Sequence, residues 1–133
     1  FDEISICGPT IVSHLKEGRI STSTMTPGDF SMRTSSPADI RGGSARRNAE
    51  IVREVLTGRK GAKRDIVLLN AGAALVAAGR AENFQEGIKL AEKSIDSGRA
   101  AGKLDELVAF TQRCKAFVID SAEGMRNVAL SVS

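Results

Sequence analysis

The chain has 133 residues, 41% of them hydrophobic and 26% charged, with a net charge of +3. That is one domain's length with enough apolar surface for a core, which excludes disorder throughout. Nineteen Lys and Arg against sixteen Asp and Glu, with no Trp, no Tyr and five Phe, make too mild a basic excess and too few stacking side chains for a nucleic-acid partner; a small anionic ligand stays compatible.

No apolar run reaches the roughly 20 residues that span a bilayer, so no membrane partner is expected. Cys7 and Cys114 form neither a CxxC pair nor a metal-ligand cluster and read as reduced thiols of a cytoplasmic protein. The first residues carry two acids and no basic cluster ahead of an apolar region, unlike a signal peptide. Starting at Phe1, the chain is expected to be a processed product or a piece of a longer protein.

In chain order, Ile11-Val12-Ser13-His14-Leu15 and Ile20-Ser21-Thr22-Ser23-Thr24 read as two strands joined by a short turn at Lys16-Glu17-Gly18-Arg19. From Met25 to Gly43 the periodicity is lost among Pro27, Gly28, Pro37, Gly42 and Gly43, which marks a loop pinned to a scaffold by Phe30 and Met32. Ser44 caps a predicted helix from Ala45 to Thr57 that ends at Gly58, with Ala45, Ala49, Val52 and Leu56 on its buried side. Arg59, Lys60, Lys63 and Arg64 form a basic cluster, read as a solvated turn rather than a phosphate site.

Asp65 is the predicted N-cap of a nearly all-apolar helix reaching Ala78, with Gly79 supplying the left-handed residue that closes it. Asn83 and Glu86 then make a capping-box-like start to a helix whose Phe84, Ile88, Ala91 and Ile95 share one face, and Gly98 ends it. A last helix is predicted from Arg99 to about Gln112, with Leu104, Leu107, Val108 and Thr111 inward. Beyond it, Phe117-Val118-Ile119 and Val128-Ala129-Leu130 suggest short strands or a disordered extension.

Few residues offer chemistry. The adjacent carboxylates Asp2 and Glu3 offer hard oxygen ligands, but on sequence alone such a dipeptide reads more simply as a solvated surface pair. Gly42-Gly43-Ser44 could offer N–H groups to an anion but reads more simply as an N-cap turn. His14, the single histidine, lacks triad partners at recognisable spacing and reads as a structural or surface residue. Cys7 has no nearby cation in sequence to activate it. Asn70, an amide inside an apolar helix, needs hydrogen-bond partners and is expected to tie that helix to a neighbouring loop or backbone.

Several segments stand in a colinear order: Asp2-Glu3, Gly8-Pro9-Thr10, Thr26-Pro27-Gly28-Asp29-Phe30, Arg41-Gly42-Gly43-Ser44, Asn48-Ala49, Val55-Leu56-Thr57-Gly58, Leu69-Asn70-Ala71 and Ile95-Asp96-Ser97-Gly98. Over roughly residues 1–112 this order resembles the C-terminal part of the anthranilate phosphoribosyltransferase family. The resemblance implies an α/β fold of the nucleoside phosphorylase/phosphoribosyltransferase type, with the early strands extending a central sheet and the later helices covering it. On that basis residues 1–112 are the C-terminal part of the α/β domain and residues 113–133 a C-terminal extension.

The implied activity is transfer of the phosphoribosyl group of phosphoribosyl pyrophosphate to anthranilate, with release of diphosphate, in tryptophan biosynthesis. Mg²⁺ is the implied cofactor, and the metal-ligand role falls on Asp2 and Glu3. The family's glycine-rich phosphate loop, its Lys-His-Gly-Asn segment and the arginine that meets anthranilate belong to the N-terminal half preceding Phe1. No catalytic residue is therefore assigned here, and these residues alone are expected to be inactive. The complete enzyme is implied to be a homodimer, with contacts largely from an upstream helical domain, so this chain alone need not dimerise. Two alternatives stay open: a pyrimidine nucleoside phosphorylase-like enzyme, and a non-catalytic binding or regulatory module on the same scaffold.

Overall fold

The computed structural model describes residues 3–130, with side chains described for residues 3–114. It is an α/β fold: a hairpin of β1 (Thr10–Lys16) and β2 (Arg19–Met25), a 3-10 turn at Pro27–Phe30, and helices α1 (Ala45–Leu56), α2 (Ala62–Ala77), α3 (Phe84–Asp96) and α4 (Arg99–Leu130).

The strands pair antiparallel, with Ile11 opposite Thr24 and Leu15 opposite Ile20. Glu17 and Gly18 form the two-residue turn, both at positive φ (51° and 75°), which matches the right-handed twist of a hairpin. The predicted turn thus tightens by one residue at each end. Val12 faces the apolar cluster of Ile4, Ile6 and Leu69. The other face, carrying Ile11, Leu15 and Ile20, lies open. Among the described residues the sheet is this one hairpin, and the helices pack chiefly on one another.

The core centres on α2 and α3. Gly72 and Gly87 are buried where these helices cross, and a Cβ on Gly87 would lie 2.5 Å from the Gly72 carbonyl oxygen. Backbone therefore meets backbone. On one side of the crossing Val55, Leu68, Ala91 and Ile95 form a cluster; on the other lie Ile4, Ile6 and Leu69, with Met32 and Ile88 touching both. As expected, Phe30 and Met32 pin the 26–43 loop, and the Phe30 ring packs on Phe84 with centroids 5.4 Å apart. Thr26 and Asp29 shape the 3-10 turn, the Asp29 carboxylate accepting from the Thr26 N–H at 2.6 Å.

Three helix ends follow the sequence closely. Ser44 caps α1 by accepting from the Arg47 N–H at 3.3 Å, and Asn83 caps α3 by accepting from Glu86 at 3.0 Å. Glu86 reaches back to the Glu82 N–H rather than to Asn83. Gly79, at φ 65°, closes α2: its N–H donates to Val76 and that of Arg80 to Leu75, the double bond of a left-handed cap.

Other expectations are corrected. Asp65 is not the N-cap of α2: the helix starts at Ala62 behind Gly61, and Asp65 lies within its first turn. The inner side of α1 is Val55 with half-buried Ile51 and Leu56, while Ala45, Ala49 and Val52 are exposed. The inner face of α4 keeps Leu104 and Val108, whereas Leu107 and Thr111 are exposed. Residues 113–130 continue α4 as helix in place of the two short strands, since nothing between Gln112 and Phe117 breaks a helix.

Gly87→Ala tests the crossing. Helix propensity alone would favour Ala by about 1 kcal/mol. The clash is with a backbone carbonyl that cannot rotate aside, and overpacking of this kind costs about 1–3 kcal/mol. The expected result is net destabilisation by urea denaturation, while Gly102→Ala, whose Cβ meets nothing within 4 Å, is neutral or stabilising.

Candidate functional site

The residues with assignable chemistry gather around the N-terminal strap, residues 3–10, where it runs over α2. Asn70 is what holds it there. The Ile4 N–H donates to the Asn70 Oδ1 at 2.9 Å, and the Asn70 Nδ2 donates to the Ile4 carbonyl at 2.9 Å and to Ile66 at 3.0 Å. The side-chain amide thus pairs with the strap as a neighbouring strand would, meeting the expectation that Asn70 ties its helix to backbone. Ile4 and Ile6 are buried on either side of Ser5, and the Ile6 carbonyl accepts from Ser35 at 2.9 Å, so the strap is also fixed to the 26–43 loop. The Ser5 N–H donates to the Thr10 hydroxyl at 3.0 Å, which folds Gly8-Pro9 into the approach to β1.

Glu3 is exposed at the start of this strap, next to the pinned Ile4. Asp2 lies outside the described residues. Among the described residues no group of three or more His, Cys, Asp or Glu side chains could by itself hold a metal ion.

Asn48 repeats the device used by Asn70. The Gly43 N–H donates to its Oδ1 at 2.7 Å, and its Nδ2 donates back to the Gly43 carbonyl at 3.1 Å. The Gly43 N–H is therefore spent on Asn48, and the Gly42-Gly43-Ser44 segment is an ordinary N-cap turn. A Cβ on Gly42 would come within 2.7 Å of the same oxygen. The signal for this tie in the sequence is the place of Asn48, four residues into a helix entered by two glycines.

The basic turn is not simply solvated. Arg64 is 1% exposed; it donates to Asp96 at 2.7 Å, to Glu92 at 3.2 Å and to the Gly58 carbonyl at 3.1 Å. It clamps the start of α2 to the end of α3. Lys63 donates to the Arg41 carbonyl, Arg59 pairs with Glu54, and Lys60 lies 3.5 Å from Glu92. The hydrogen bond from Arg64 holds the Asp96 carboxyl below the ordinary carboxylate range, and the same pairing raises the guanidinium. Burial pushes Asp65 the other way, upward.

His14 is exposed on β1, Cys7 is half-buried, and Cys7 and Cys114 are both free thiols. Among the described residues no helix is long and apolar enough to cross a membrane.

Residues 1–101 match the model of the glycosyl transferase family, a/b domain. The chain belongs to this family. Within it, the chain is 49% identical over 111 residues to the anthranilate phosphoribosyltransferase of Desulfatibacillum aliphaticivorans, covering 84% of this chain and 33% of that protein. It is 47% identical over 112 residues to that of Desulfosudis oleivorans, with the same coverage. The structure is similar to the Thermus thermophilus anthranilate phosphoribosyltransferase, with TM-score 0.71 and 32% identity over 80% of this chain and 32% of that one. It is also similar to a Saccharomyces cerevisiae anthranilate phosphoribosyltransferase variant with Mg bound, with TM-score 0.69 and 29% identity over 79% and 31% of the two chains. The chain thus spans about a third of the length of the relatives it matches, and within that third the α/β fold that the resemblance implies is present.

Two predictions follow from the ties in this part of the glycosyl transferase domain. Replacing Asn70 by Leu strands the Ile4 N–H and carbonyl and is expected to cost about 1–3 kcal/mol by urea denaturation. Asn70→Asp costs more, because it puts a carboxylate against the Ile4 carbonyl.

Asp96 gives a pH signature. Its folded-state pKa is depressed below the unfolded value of about 3.9. Its contribution is therefore complete above that value and is lost as pH falls through the folded-state pKa. Arg64→Met removes the cause, so the stability gap between the native chain and this variant should be widest at neutral pH and narrow below about pH 4.

Proposed function

We propose that this chain is the C-terminal third of an anthranilate phosphoribosyltransferase, the transferase that joins anthranilate to the phosphoribosyl group of phosphoribosyl pyrophosphate with release of diphosphate in tryptophan biosynthesis. The observation that carries the reading is the 49% identity to such a protein over 111 residues. In support, the similar Saccharomyces cerevisiae anthranilate phosphoribosyltransferase has Mg bound in one structure, that of a variant, and is in complex with 4-fluoroanthranilate in a second. The same likeness favours transfer to anthranilate over phosphorolysis of a nucleoside. Residues 1–112 are read as the end of the enzyme's α/β domain and residues 113–133 as an extension. The complete enzyme is read as a cytoplasmic homodimer, with the catalytic groups upstream of Phe1.

Within this chain the proposed chemical contribution is a half-site for metal. Asp2 and Glu3 would hold Mg²⁺ on the substrate's diphosphate. The donor set fits: two adjacent carboxylates suffice for an ion that keeps water and phosphate oxygens in its other positions, and Glu3 is exposed. When bound, the metal supplies positive charge where the departing diphosphate gathers negative charge. The Asn70 pairing fixes the backbone next to Glu3, and because it acts through Ile4 main-chain atoms it does not use the Glu3 carboxylate.

The test is an assay of the complete protein with phosphoribosyl pyrophosphate, Mg²⁺ and anthranilate, following the loss of anthranilate fluorescence. Glu3→Gln and Asp2→Asn are each expected to raise the Mg²⁺ needed for half-maximal rate by about ten-fold or more. Turnover with unchanged Mg²⁺ dependence in both variants would remove these carboxylates from the metal site. Absence of turnover with anthranilate in the native enzyme would remove the reading itself.

A further inference from the structure

Both ends of the Asn70 amide are committed to backbone. The bond from Nδ2 to the Ile66 carbonyl lies within α2 and fixes the plane of the amide, while the two bonds to Ile4 reach a segment 66 residues away. The strap does not need them merely to stay attached. Ile4 and Ile6 are buried, and the Ser35 N–H bonds the Ile6 carbonyl, so apolar packing and the 26–43 loop already secure it. What the amide adds is the orientation of particular peptide planes.

One of those planes belongs to Glu3. The Ile4 N–H lies in the same rigid peptide unit as the carbonyl and Cα of Glu3. With the Ile4 carbonyl held as well, both peptide units that meet at Ile4 are set, and the Cα of Glu3 is set with them. Glu3 is exposed, so its own side chain has few contacts with which to fix its origin. The point from which its carboxylate projects is therefore governed from α2, whose place is in turn governed by backbone contact with α3 at Gly72 and Gly87. Asn48 supplies the contrast, since the same double bond there holds Gly43, a residue without a side chain, at the entry to α1.

We propose, resting on the reading of Glu3 as a metal ligand, that Asn70 is a positioning residue of the metal half-site: by clamping the peptide unit after Glu3 it presets the backbone that carries the carboxylate, so that binding Mg²⁺ and diphosphate does not have to order it. Without the clamp, that ordering falls on the binding step. Fixing one residue's backbone is worth about ten-fold in an equilibrium constant, and loss of Asn70 raises the Mg²⁺ requirement by that order. General destabilisation has a different signature, because it lowers the number of folded sites and leaves the affinity of the remaining ones unchanged.

Calorimetric titration of the complete protein with phosphoribosyl pyrophosphate, without anthranilate and at a series of Mg²⁺ concentrations, separates the two. It reads site number and metal dependence without turnover. Asn70→Ala is expected to raise the Mg²⁺ needed for half-maximal tightening by about ten-fold. Asn70→Ser, whose hydroxyl can still bond Ile66 but is too short to span both Ile4 groups, is the milder variant and should shift it in the same direction. Asn48→Ala should keep the native Mg²⁺ dependence even where urea denaturation shows a comparable loss of stability. Because Asn70 acts through Glu3, combining Glu3→Gln with Asn70→Ala should fall short of the product of the two single effects. If Glu3→Gln shifts the Mg²⁺ dependence and neither Asn70 variant does, the positioning role is overturned while the metal ligand stands. If Glu3→Gln leaves the dependence native, both fall. Single effects that multiply in full also overturn the role, since Asn70 then acts on some other part of the protein.

Discussion

Everything in this domain hangs on the approach of α2 to α3 at Gly72 and Gly87. The two helices touch through backbone at these glycines, with the Ile88 side chain packed beside Gly72, and this sets how far apart every other residue of the pair can be. Leu68 and Leu69 on α2 and Ala91 and Ile95 on α3 close into clusters on the two sides of that contact. Arg64 reaches Asp96 and Glu92 because the helix axes are already close at the crossing. A glycine inside a helix costs about 1 kcal/mol against alanine, and here that cost is offset by close packing along the rest of the interface.

On this rigid pair the irregular segments are fastened by asparagines. Asn70 holds the N-terminal strap, and Asn48 holds the turn that leads into α1. An amide presents one acceptor and two donors in one plane, so it can pair with a peptide unit in both directions while standing on a helix. Extended backbone is thereby satisfied without a neighbouring strand. The arrangement suits a region in which the described residues contribute one hairpin to the sheet.

Much of this was legible in the sequence, for reasons that are local. The ends at Ser44, Asn83, Gly58, Gly79 and Gly98 declare themselves because capping chemistry depends on residues within one turn, and Ile11–Leu15 and Ile20–Thr24 because turn and alternation are short-range. The need of Asn70 for backbone partners follows from placing an amide in an apolar helix, although its partner, Ile4, lies 66 residues away, beyond what local pattern contains. What escaped was long-range. Arg64 looked like one member of a basic turn because its acceptors lie on a different helix, and burying it draws the start of α2 back from Asp65 to Ala62. The outward placement of Ala45, Ala49 and Val52 depends on which neighbours α1 has, which periodicity does not contain. Gly72 and Gly87 did carry a signal: two helix-interior glycines on adjacent helices point to close approach. The carboxylates of the candidate metal site were found through family resemblance rather than through their pattern, since an acidic dipeptide is common on any surface.

The Asn70 tie has an evolutionary consequence. Because it grips only the peptide groups of Ile4, it is blind to the side chains before and after that residue. Substitutions at position 3 can change charge or size without loosening that tie. Anchoring thus rests on main-chain atoms at Ile4, and a scaffold built this way can change the side chain beside its anchor while keeping its fold.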